Sequence, residues 1–538
     1  MIKTLARRFR ALLRSLAAAI AVAAAGIPAP RQAEAATVPT LAILQHGLAI
    51  GQETQDFKQF LGMRYARPPV GALRWQPPQP LEAAFGTTIA NAFGPHCPQT
   101  ASAFGTPSTT EDCLFLNVFA PHGAIPGRPY LPVMVWIHRG SLNQGESDDF
   151  NPARLVNEGV IVVTFNYRLG ALGFLAHPAL EAEGHPAVNY GLLDQQAALR
   201  WVRDNIAGFG GDPRNVTMFG ESAGGQSVLS NLVSPGARGL FARAIDQSGA
   251  YGLILPTLAQ AQALGTAFAT QTGCTDQSAA CLRRLPVETI LANQAGVAFR
   301  TTILDGMVLP QSLDVALKTG NFSRVPLMLG SNHDEGRLFV AGQFDLAGAP
   351  LTAAGFAGFV NGSLPSIATP VLAQYPLTGF PSPDLALATL ETDAIFSCNT
   401  LRAGAAAARF APVFQYEFAD ESAPQIFLPP VSFPYAAAHA SEIPFVFDRF
   451  VQPANGSQAA PLTPVEQALA RSMVRYWTNF ARRGDPNGLG VPSWTPIGSG
   501  QTAIQSLAER QKPTFAFAAD HKCGFWTPII SVQALPLR

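Results

Sequence analysis

One serine lies in a motif whose residue types and spacing could make it a nucleophile. Ser222 stands between two glycines in Gly220-Glu-Ser-Ala-Gly224, after the apolar run Val216–Phe219 and before the helical pattern Gln226–Leu232. A serine on such a sharp strand-to-helix turn has a strained backbone, and the turn lifts its hydroxyl clear of the sheet. The N–H groups at the start of the following helix can then stabilise developing negative charge. We therefore predict that Ser222 attacks a carbonyl group.

The elements that must position this serine are buried strands that alternate with helices. Continuous apolar runs, as expected for strands buried on both faces of a sheet, occur at Val133–Ile137, Val160–Phe165, Val216–Phe219, Pro326–Leu329 and Val413–Phe418. The clearest helical pattern between them is Tyr190–Ile206. This alternation predicts one mostly parallel sheet with helices on both faces. Segments rich in Pro and Gly, such as Ala347–Pro383, are interpreted as surface connections or insertions.

Five motifs follow one another in an order that resembles the type-B carboxylesterase family, which includes the cholinesterases. They are Tyr65-Ala-Arg-Pro-Pro-Val-Gly71, Glu111-Asp-Cys-Leu-Phe-Leu-Asn117, Asn166-Tyr-Arg-Leu-Gly-Ala-Leu-Gly-Phe174, Gly220-Glu-Ser-Ala-Gly-Gly225 and Gly484-Asp-Pro-Asn487. The resemblance implies an α/β-hydrolase fold, with a mostly parallel central sheet, helices on both faces and large insertions. No linker marks a domain boundary, so we expect a single catalytic domain over residues 36–538.

A serine hydroxyl needs an imidazole to take its proton, and the imidazole needs a carboxylate to fix its tautomer. In this fold the acid follows the serine along the chain and the histidine comes last. By resemblance the acid is Glu335, in the segment Ser331-Asn-His-Asp-Glu-Gly336. Asp334 and His333 are the local alternatives, and His333 is interpreted as a loop residue because it precedes the acid.

By the same resemblance the base is His439, in the segment His439-Ala-Ser-Glu-Ile-Pro-Phe-Val-Phe447. Ala440 and Ser441 depart from the spacer of the family, whereas the Glu-Ile pair and the aromatic residues that follow restore the pattern. Four other histidines lack this context and are predicted to be structural: His96, His177, His185 and His521.

The resemblance also implies supporting and structural roles. Glu221, next to the nucleophile, and Ser248, in Asp246-Gln-Ser-Gly249, are expected to support the triad. Two buried ion pairs are expected, Arg74–Glu111 and Arg168–Asp194. Breaking such a pair costs about 3–5 kcal/mol, because the remaining charge is left unpaired. These acids are therefore not candidates for catalysis.

The chain departs from the family directly after Val133–Ile137. Relatives continue with three glycines whose N–H groups help to form an oxyanion hole, whereas this chain has His138-Arg-Gly-Ser141. Gly140, Ser141 and Ala223 are predicted to donate to the oxyanion, although side chains at two of the glycine positions oppose the φ values that glycine accepts. Arg139 has two interpretations. It recognises a carboxylate on an acidic ester, or it pairs with a nearby acid such as Asp148 or reaches solvent.

The implied reaction is hydrolysis of a small-molecule carboxylic ester through an acyl-enzyme, without a metal or an organic cofactor. Hydrolysis of amides or carbamates by the same residues is an alternative. A non-catalytic binding protein of the same fold is a second alternative, which the presence of all three triad residues disfavours. The loop between Cys97 and Cys113 has no Trp or Tyr and only Phe104. In the family that the chain resembles, this loop carries an aromatic residue that binds choline, or it forms a lipase lid. The resemblance therefore implies neither cholinesterase activity nor a large interfacial lid for this chain.

Composition limits the classes of partner. Charged residues make up 13% of the chain, well below the roughly 25% of an average soluble protein, which favours one large buried core. The formal net charge is zero, so no nucleic-acid partner is predicted. No segment after the N-terminus is long and apolar enough to predict a membrane span. The sequence does not determine the oligomeric state.

The first 35 residues have the pattern of a secretory signal peptide. Basic residues between Lys3 and Arg14 precede a short apolar segment, Leu16–Ala25, and Ala33-Glu-Ala35 supplies the small residues of a cleavage site. The apolar segment is too short to span ~30 Å of hydrocarbon. We predict export to the periplasm or the medium, with cleavage after Ala35 or Ala36.

An exported chain with six cysteines is expected to form three disulfides, because the compartment is oxidising. Proximity in sequence favours Cys97–Cys113 and Cys274–Cys281, which leaves Cys398–Cys523 as the third pair. Spacing alone leaves other connectivities open. A structural zinc site is the alternative, and neither a CxxC pair nor a His-rich segment supports it.

Overall fold

The computed structural model describes residues 38–82, 85–128, 130–186, 188–294, 299–447, 449–450, 461–498, 503–532 and 535. The predicted signal peptide and its cleavage point near Ala35 lie outside these residues. The chain from Pro39 onward forms one compact unit. Among the helices that the structure describes, none has the length and apolar character needed to cross a membrane.

The described strands are β1 (Val38–Leu44), β2 (Gly47–Glu53), β3 (Lys58–Arg64), β4 (Gly86–Ile89), β5 (Phe115–Ala120), β6 (Leu131–Ile137), β7 (Phe150–Asn151), β8 (Ile161–Phe165), β9 (Gly211–Glu221), β10 (Arg243–Gln247), β11 (Leu327–Asn332), β12 (Val413–Phe418), β13 (Arg449–Phe450), β14 (Ile504–Leu507) and β15 (Lys512–Thr514). The main sheet has the order β1-β2-β3-β5-β8-β6-β9-β10-β11-β12-β14-β15, with β4 beside β2. Strands β7 and β13 form a separate antiparallel pair.

The described α-helices are α1 (Ala153–Asn157), α2 (Gly170–Phe174), α3 (Pro178–Glu181), α4 (Tyr190–Asn205), α5 (Ala223–Val233), α6 (Leu258–Gln271), α7 (Ala279–Arg284), α8 (Val287–Asn293), α9 (Leu313–Thr319), α10 (Gly336–Val340), α11 (Ala353–Ser363), α12 (Ala368–Gln374), α13 (Pro383–Glu391), α14 (Cys398–Ala407), α15 (Ile443–Val446), α16 (Pro464–Arg483), α17 (Phe517–Asp520) and α18 (Cys523–Ile530). A π-helical turn, Thr392–Ser397, joins α13 to α14.

The centre of the main sheet is parallel from β8 through β6, β9, β10, β11 and β12 to β14. The apolar runs that predicted these strands are buried along their length, as in β6, β8 and β12. Both faces of the sheet pack against apolar side chains of the surrounding elements. The predicted α/β-hydrolase architecture is confirmed.

Parallel pairing brings the carboxyl ends of the central strands to one edge of the sheet. In the β6–β9 pairing Ile137 lies opposite Gly220, and in the β9–β10 pairing Glu221 lies opposite Gln247. In the β10–β11 pairing Gln247 lies opposite Gly330. The segments that follow these strands therefore meet at this edge, where open α/β sheets carry their ligand sites.

Two helices occupy part of the segment Ala347–Pro383. Phe356 and Val360 of α11 and Val371 of α12 are buried in a separate apolar cluster. The segment was interpreted as surface connections or insertions, and these buried helices agree with an insertion. Its apolar residues recur at the spacing of a helical face, but the intervening Gly and Pro residues obscured this pattern in the sequence.

Three disulfides link the chain, Cys97–Cys113, Cys274–Cys281 and Cys398–Cys523, with Cα–Cα separations of 5.0, 5.6 and 5.2 Å.

Both expected ion pairs are present. Arg74 Nε lies 2.7 Å from Glu111 Oε2, and Arg168 Nε lies 2.8 Å from Asp194 Oδ2. Arg168 and Asp194 are buried, so each charge depends on the other for compensation.

Candidate active site

Ser222 occupies the turn between β9 and α5 with φ +55° and ψ −120°. This conformation is rare for a residue with a side chain, and the backbone N–H holds it by donating to Gln247 O at 2.8 Å. The turn needs glycine at position 224, because a Cβ there would lie 2.0 Å from Ile137 O. The serine is 8% exposed. Its strained turn thus has the features that the sequence motif predicted.

The ring of His439 contacts Glu335 at the carboxyl edge of the sheet. Nδ1 of His439 lies 2.5 Å from Oε2 of Glu335, and the second carboxylate oxygen accepts from the N–H of Asn332 at 2.8 Å. Both side chains are buried. The rings of Phe339 and Phe396 lie 4.9 and 5.1 Å from the imidazole ring. The imidazole is therefore held at one nitrogen by a carboxylate and packs against two tilted aromatic rings.

The other ring nitrogen of His439 has no hydrogen-bond partner among the described residues. Nε2 lies 3.1 Å from Oε1 of Glu221, without the direction that a hydrogen bond requires. A hydrogen bond between Ser222 and His439 is thus not formed in this structure. Such contacts are commonly long in free enzymes and shorten when substrate binds.

The local alternatives to Glu335 are engaged elsewhere. Asp334 lies 2.7 Å from Nη2 of Arg337 and 3.3 Å from Nδ1 of His333. His333 lies in the turn after β11, with 40% of its side chain exposed. The contact to His439 therefore comes from Glu335, the residue that the motif selected.

Three further acids are buried around the serine and histidine, and two of them, Asp246 and Glu442, were given no role from the sequence. Burial raises the pKa of Glu221 well above its usual value, an effect that the charge of Arg139 opposes. Burial likewise raises the pKa values of Asp246 and Glu442 to about 8. Glu442 accepts from Gln247 at 3.0 Å and from Asn332 at 2.7 Å. Burial therefore disfavours the charged form of each of these three acids, and the carboxylate in contact with Nδ1 of His439 is that of Glu335.

The oxyanion loop after β6 keeps the backbone of a glycine run despite its side chains. Gly140 has φ +102° and Ser141 has φ +54°. Within the described residues neither N–H donates to another protein group. A Cβ at Gly140 would lie 2.2 Å from Gln144 O, whereas Ser141 adopts the left-handed region with its side chain in place. The two predicted donors of this loop are thus free to bind an anion.

Arg139 is enclosed rather than exposed. Its guanidinium carbon lies 4.0, 5.2 and 5.4 Å from the ring centroids of Phe427, Phe104 and Phe150. Nη2 lies 3.7 Å from Oδ2 of Asp149, and only 5% of the side chain is exposed. The expected acid Asp148 instead contacts His96 at 2.9 Å. Arg139 thus lies near an acid, as one of its two interpretations expected, but the acid is Asp149 rather than Asp148 and three phenylalanines complete its surroundings.

Ser248 lies in a second strained turn, with φ +54°, after β10. Its N–H donates to Gly330 O at 2.8 Å, and its side chain is fully buried. In the part of the chain that the structure describes, its hydroxyl has no hydrogen-bond partner. Any support that Ser248 gives to the site thus comes through its backbone and packing.

His138 predicts a loss of stability in acid. Burial lowers its pKa to about 4, and the neutral ring stacks on Tyr167 at 4.3 Å. In the unfolded chain His138 binds a proton near pH 6.5, whereas in the folded chain it binds one only near pH 4. The neutral ring therefore contributes its full stabilisation of the folded state above pH 6.5. This stabilisation is lost as the pH falls towards 4. We expect the unfolding free energy to fall by about 3 kcal/mol from this residue across that interval.

The measurement is the unfolding free energy of wild type and of His138→Asn, which retains a donor for Arg139 O, across the same pH range. The unfolding free energy of the variant should fall less steeply with decreasing pH than that of the wild type. His122→Asn is the control, because His122 is exposed beside Glu53 and its pKa is raised rather than lowered. Parallel profiles for wild type and His138→Asn would contradict the assignment.

Two groups of side chains in the described part of the chain have the composition of a metal site. They are His333, Glu417 and His521, and His96, Glu146 and Asp148. Neither includes Ser222, His439 or Glu335. The predicted chemistry at Ser222 requires only the proton transfers of the histidine and the N–H donors of the turn and loop.

Comparison with known proteins agrees with this geometry. Residues 42–359 and 370–526 match the Carboxylesterase family. A para-nitrobenzyl esterase of Bacillus subtilis (strain 168) is 35% identical over 462 residues, which cover 82% of this chain and 90% of that protein. A fumonisin B1 esterase of Sphingopyxis macrogoltabida is 35% identical over 463 residues, which cover 82% of each. The structure of a PNB esterase superposes with a TM-score of 0.75 at 31% identity, covering 90% of this chain and 99% of that one.

Proposed function

The chain belongs to the carboxylesterase family and is a carboxylic ester hydrolase, and on that premise we propose that it acts through Ser222, His439 and Glu335. Ser222 is the nucleophile, His439 the general base and Glu335 the acid that orients the base. The observation that carries this proposal is the 2.5 Å contact between His439 Nδ1 and Glu335 Oε2. That contact keeps the proton on Nδ1 and leaves Nε2 as the acceptor for the serine proton.

In the first half of the reaction the hydroxyl proton of Ser222 passes to His439 Nε2 as Oγ bonds to the ester carbonyl carbon. The N–H groups of Gly140, Ser141 and Ala223 stabilise the resulting oxyanion. The carbon–oxygen bond to the alcohol then breaks, and the alcohol takes the proton from Nε2. Water repeats the sequence on the acyl-enzyme and releases the acid.

The test of this assignment is covalent labelling with an organophosphate followed by identification of the modified peptide. Label on Ser222 supports the proposal, whereas an active enzyme labelled on another residue contradicts it. Hydrolysis of amides or carbamates requires the same residues. These activities are distinguished by the hydrolysis rates of an ester, an amide and a carbamate that carry the same groups on either side of the cleaved bond. We expect the ester to react fastest.

Arg139 acts in this proposal as a residue that holds the oxyanion loop. Its contacts with Phe104 and Phe427 tie the loop after β6 to the Cys97–Cys113 loop and to a later segment. A buried cation over aromatic rings contributes about 0.5–2 kcal/mol. Because three rings and Asp149 already surround the guanidinium, the interpretation as a carboxylate receptor for acidic esters is the less supported one.

We expect Arg139→Gly to lower kcat/KM by the same factor on neutral and acidic esters of one alcohol. The substitution removes the contacts that hold the loop, and this effect does not depend on substrate charge. Arg128→Gly, the same change at an exposed loop position, is the matched control and should leave both values unchanged. A loss confined to the acidic ester would establish a recognition role instead.

We also propose that the chain is exported and that residues 36–538 form the mature catalytic domain. Three disulfides support this proposal, because such bonds persist in oxidising compartments. The basic and apolar pattern of the first 35 residues supports it as well. N-terminal sequencing of the protein recovered from periplasm or medium should begin at Ala36 or Thr37. A mature protein that begins at Met1 would contradict the proposal.

A further inference from the structure

Two histidines and a glutamate from distant parts of the chain meet at the ends of β11 and β12. His333 follows β11, Glu417 lies in β12, and His521 lies between α17 and α18. One ligand atom from each lies within 4.8 Å of the other two. Nε2 of His521 is 2.8 Å from Oε1 of Glu417, and the two imidazole rings are 5.5 Å apart.

The second nitrogen of His521 is oriented by a buried carboxylate. Nδ1 lies 2.8 Å from Oδ1 of Asp393, whose other oxygen accepts from the hydroxyl of Tyr375 at 2.7 Å. That hydroxyl accepts from Nε1 of Trp526 at 2.6 Å. A carboxylate on one nitrogen commonly fixes the tautomer of an imidazole whose other nitrogen binds a metal. His521 therefore presents Nε2 towards Glu417 in a fixed direction.

His333 supplies the third ligand and the route to solvent. Its Nδ1 is buried and has no hydrogen-bond partner among the described residues, although Asp334 lies 3.3 Å away. Its ring is 40% exposed, whereas Glu417 and His521 are buried. A cation held by the three residues would thus be open to water on the side of His333.

The second group, His96 with Glu146 and Asp148, is less suited to a cation. Glu146 already accepts from the N–H and the hydroxyl of Thr106, at 2.8 and 2.7 Å, and from Gln99 at 3.2 Å. This second group also contains only one histidine, so it offers a cation only one imidazole. Two imidazoles and a carboxylate form the donor set of several zinc sites that keep one position for water, at metal–ligand distances of about 2.0–2.2 Å.

We propose that His333, Glu417 and His521 bind one Zn²⁺, with water as the fourth ligand. Binding replaces the proton on Nε2 of His521, which passes to solvent, and the carboxylate of Glu417 turns from this nitrogen to the metal. The ion links the turn after β11, the end of β12 and the segment before α18. This site is separate from ester hydrolysis, although the turn that carries His333 also carries Glu335.

The test is calorimetric titration of Zn²⁺ into the mature protein after treatment with a chelator and dialysis. We expect one equivalent to bind and the thermal midpoint to rise on binding. His333→Gln should weaken binding at least tenfold and abolish the shift of the midpoint. His333 is partly exposed, so the variant should fold. His122→Gln, at a second partly exposed histidine, should bind as wild type does.

A second variant and a second metal ion test the zinc site even if the His333→Gln variant fails to fold. Glu417→Gln keeps an acceptor for His521 but removes the charge, and it should also weaken binding. Co²⁺ should give the visible absorption of a four-coordinate ion in wild type and not in His333→Gln. Absence of binding to wild type, equal affinity in His333→Gln, or loss of binding in His96→Gln instead would each overturn the proposal.

Discussion

Ser222→Ala is expected to lower kcat for ester hydrolysis by about 10⁴–10⁶-fold, while KM changes little. Alanine lacks the oxygen that bonds to the carbonyl carbon, so the acyl-enzyme cannot form. The strained turn, the packing of Gly224 against Ile137 O and the His439–Glu335 contact all remain. Activity that persists in the variant would come from the oxyanion donors and substrate binding alone, which retain 10³–10⁴-fold acceleration in serine hydrolases by order of magnitude.

The measurement is kcat for one activated ester with wild type and variant, together with the thermal midpoint of each protein. Ser472→Ala is the matched control, because Ser472 lies partly exposed on α16, where its hydroxyl donates to Ala468 O. It should keep full activity. A Ser222→Ala enzyme that folds and keeps most of its activity would refute the nucleophile assignment.

The strands that position the site could be predicted from the sequence because both of their faces are buried. Strand β12 begins and ends where its apolar run does, at Val413 and Phe418. Strand β9 is longer than the predicted Val216–Phe219, because it starts at Gly211 and includes residues that are only partly buried. Hydrophobicity marks the buried centre of a strand, whereas backbone pairing determines where it ends.

The residues of the site could be predicted wherever a short motif fixes the local turn. Ser222 directly follows strand β9, and Glu335 lies three residues after the end of β11, so their positions depend on a few neighbouring residues. The direction of His439 Nε2 depends instead on Glu221, Phe339 and Phe396, which come from three separate segments. Packing between distant segments leaves no periodic signal in the sequence, so the motif identifies His439 but does not give the direction of its ring.

Contacts between residues that lie far apart in the sequence were the hardest to predict. The environment of Arg139 combines Phe104, Phe150, Asp149 and Phe427, which the sequence separates by up to several hundred positions. The pairing of His521 with Asp393 and Glu417 has the same origin. A search of the sequence for closely spaced metal ligands could not find the proposed zinc site, since the fold alone brings His333 and His521 together.

The oxyanion loop has three consecutive residues with positive φ, although only one of them is a glycine. Gly140, Ser141 and Leu142 all have positive φ, at +102°, +54° and +58°. The last two values lie in the left-handed region that a residue with a Cβ can occupy at moderate cost. The value at Gly140 does not, and the carbonyl of Gly140 also accepts from Asn143 and Gln144 at 3.0 and 2.9 Å. Gly140 is therefore the position on which the shape of the loop depends.

We expect Gly140→Ala to lower kcat by about 10²–10³-fold, the effect of losing one oxyanion donor, with a much smaller change in KM. The added Cβ would lie 2.2 Å from Gln144 O and 2.6 Å from Gln144 C, so the loop must move and carry the N–H of Gly140 or Ser141 away from the oxyanion. The donors act mainly in the transition state, which is why kcat and not KM reports the loss. Gly239→Ala is the matched control, because Gly239 has φ +76° and open space around its missing Cβ. Ser141→Gly should keep or raise kcat, since it removes strain without removing the donor. If Gly140→Ala turns over ester at the wild-type rate, the oxyanion hole is formed elsewhere.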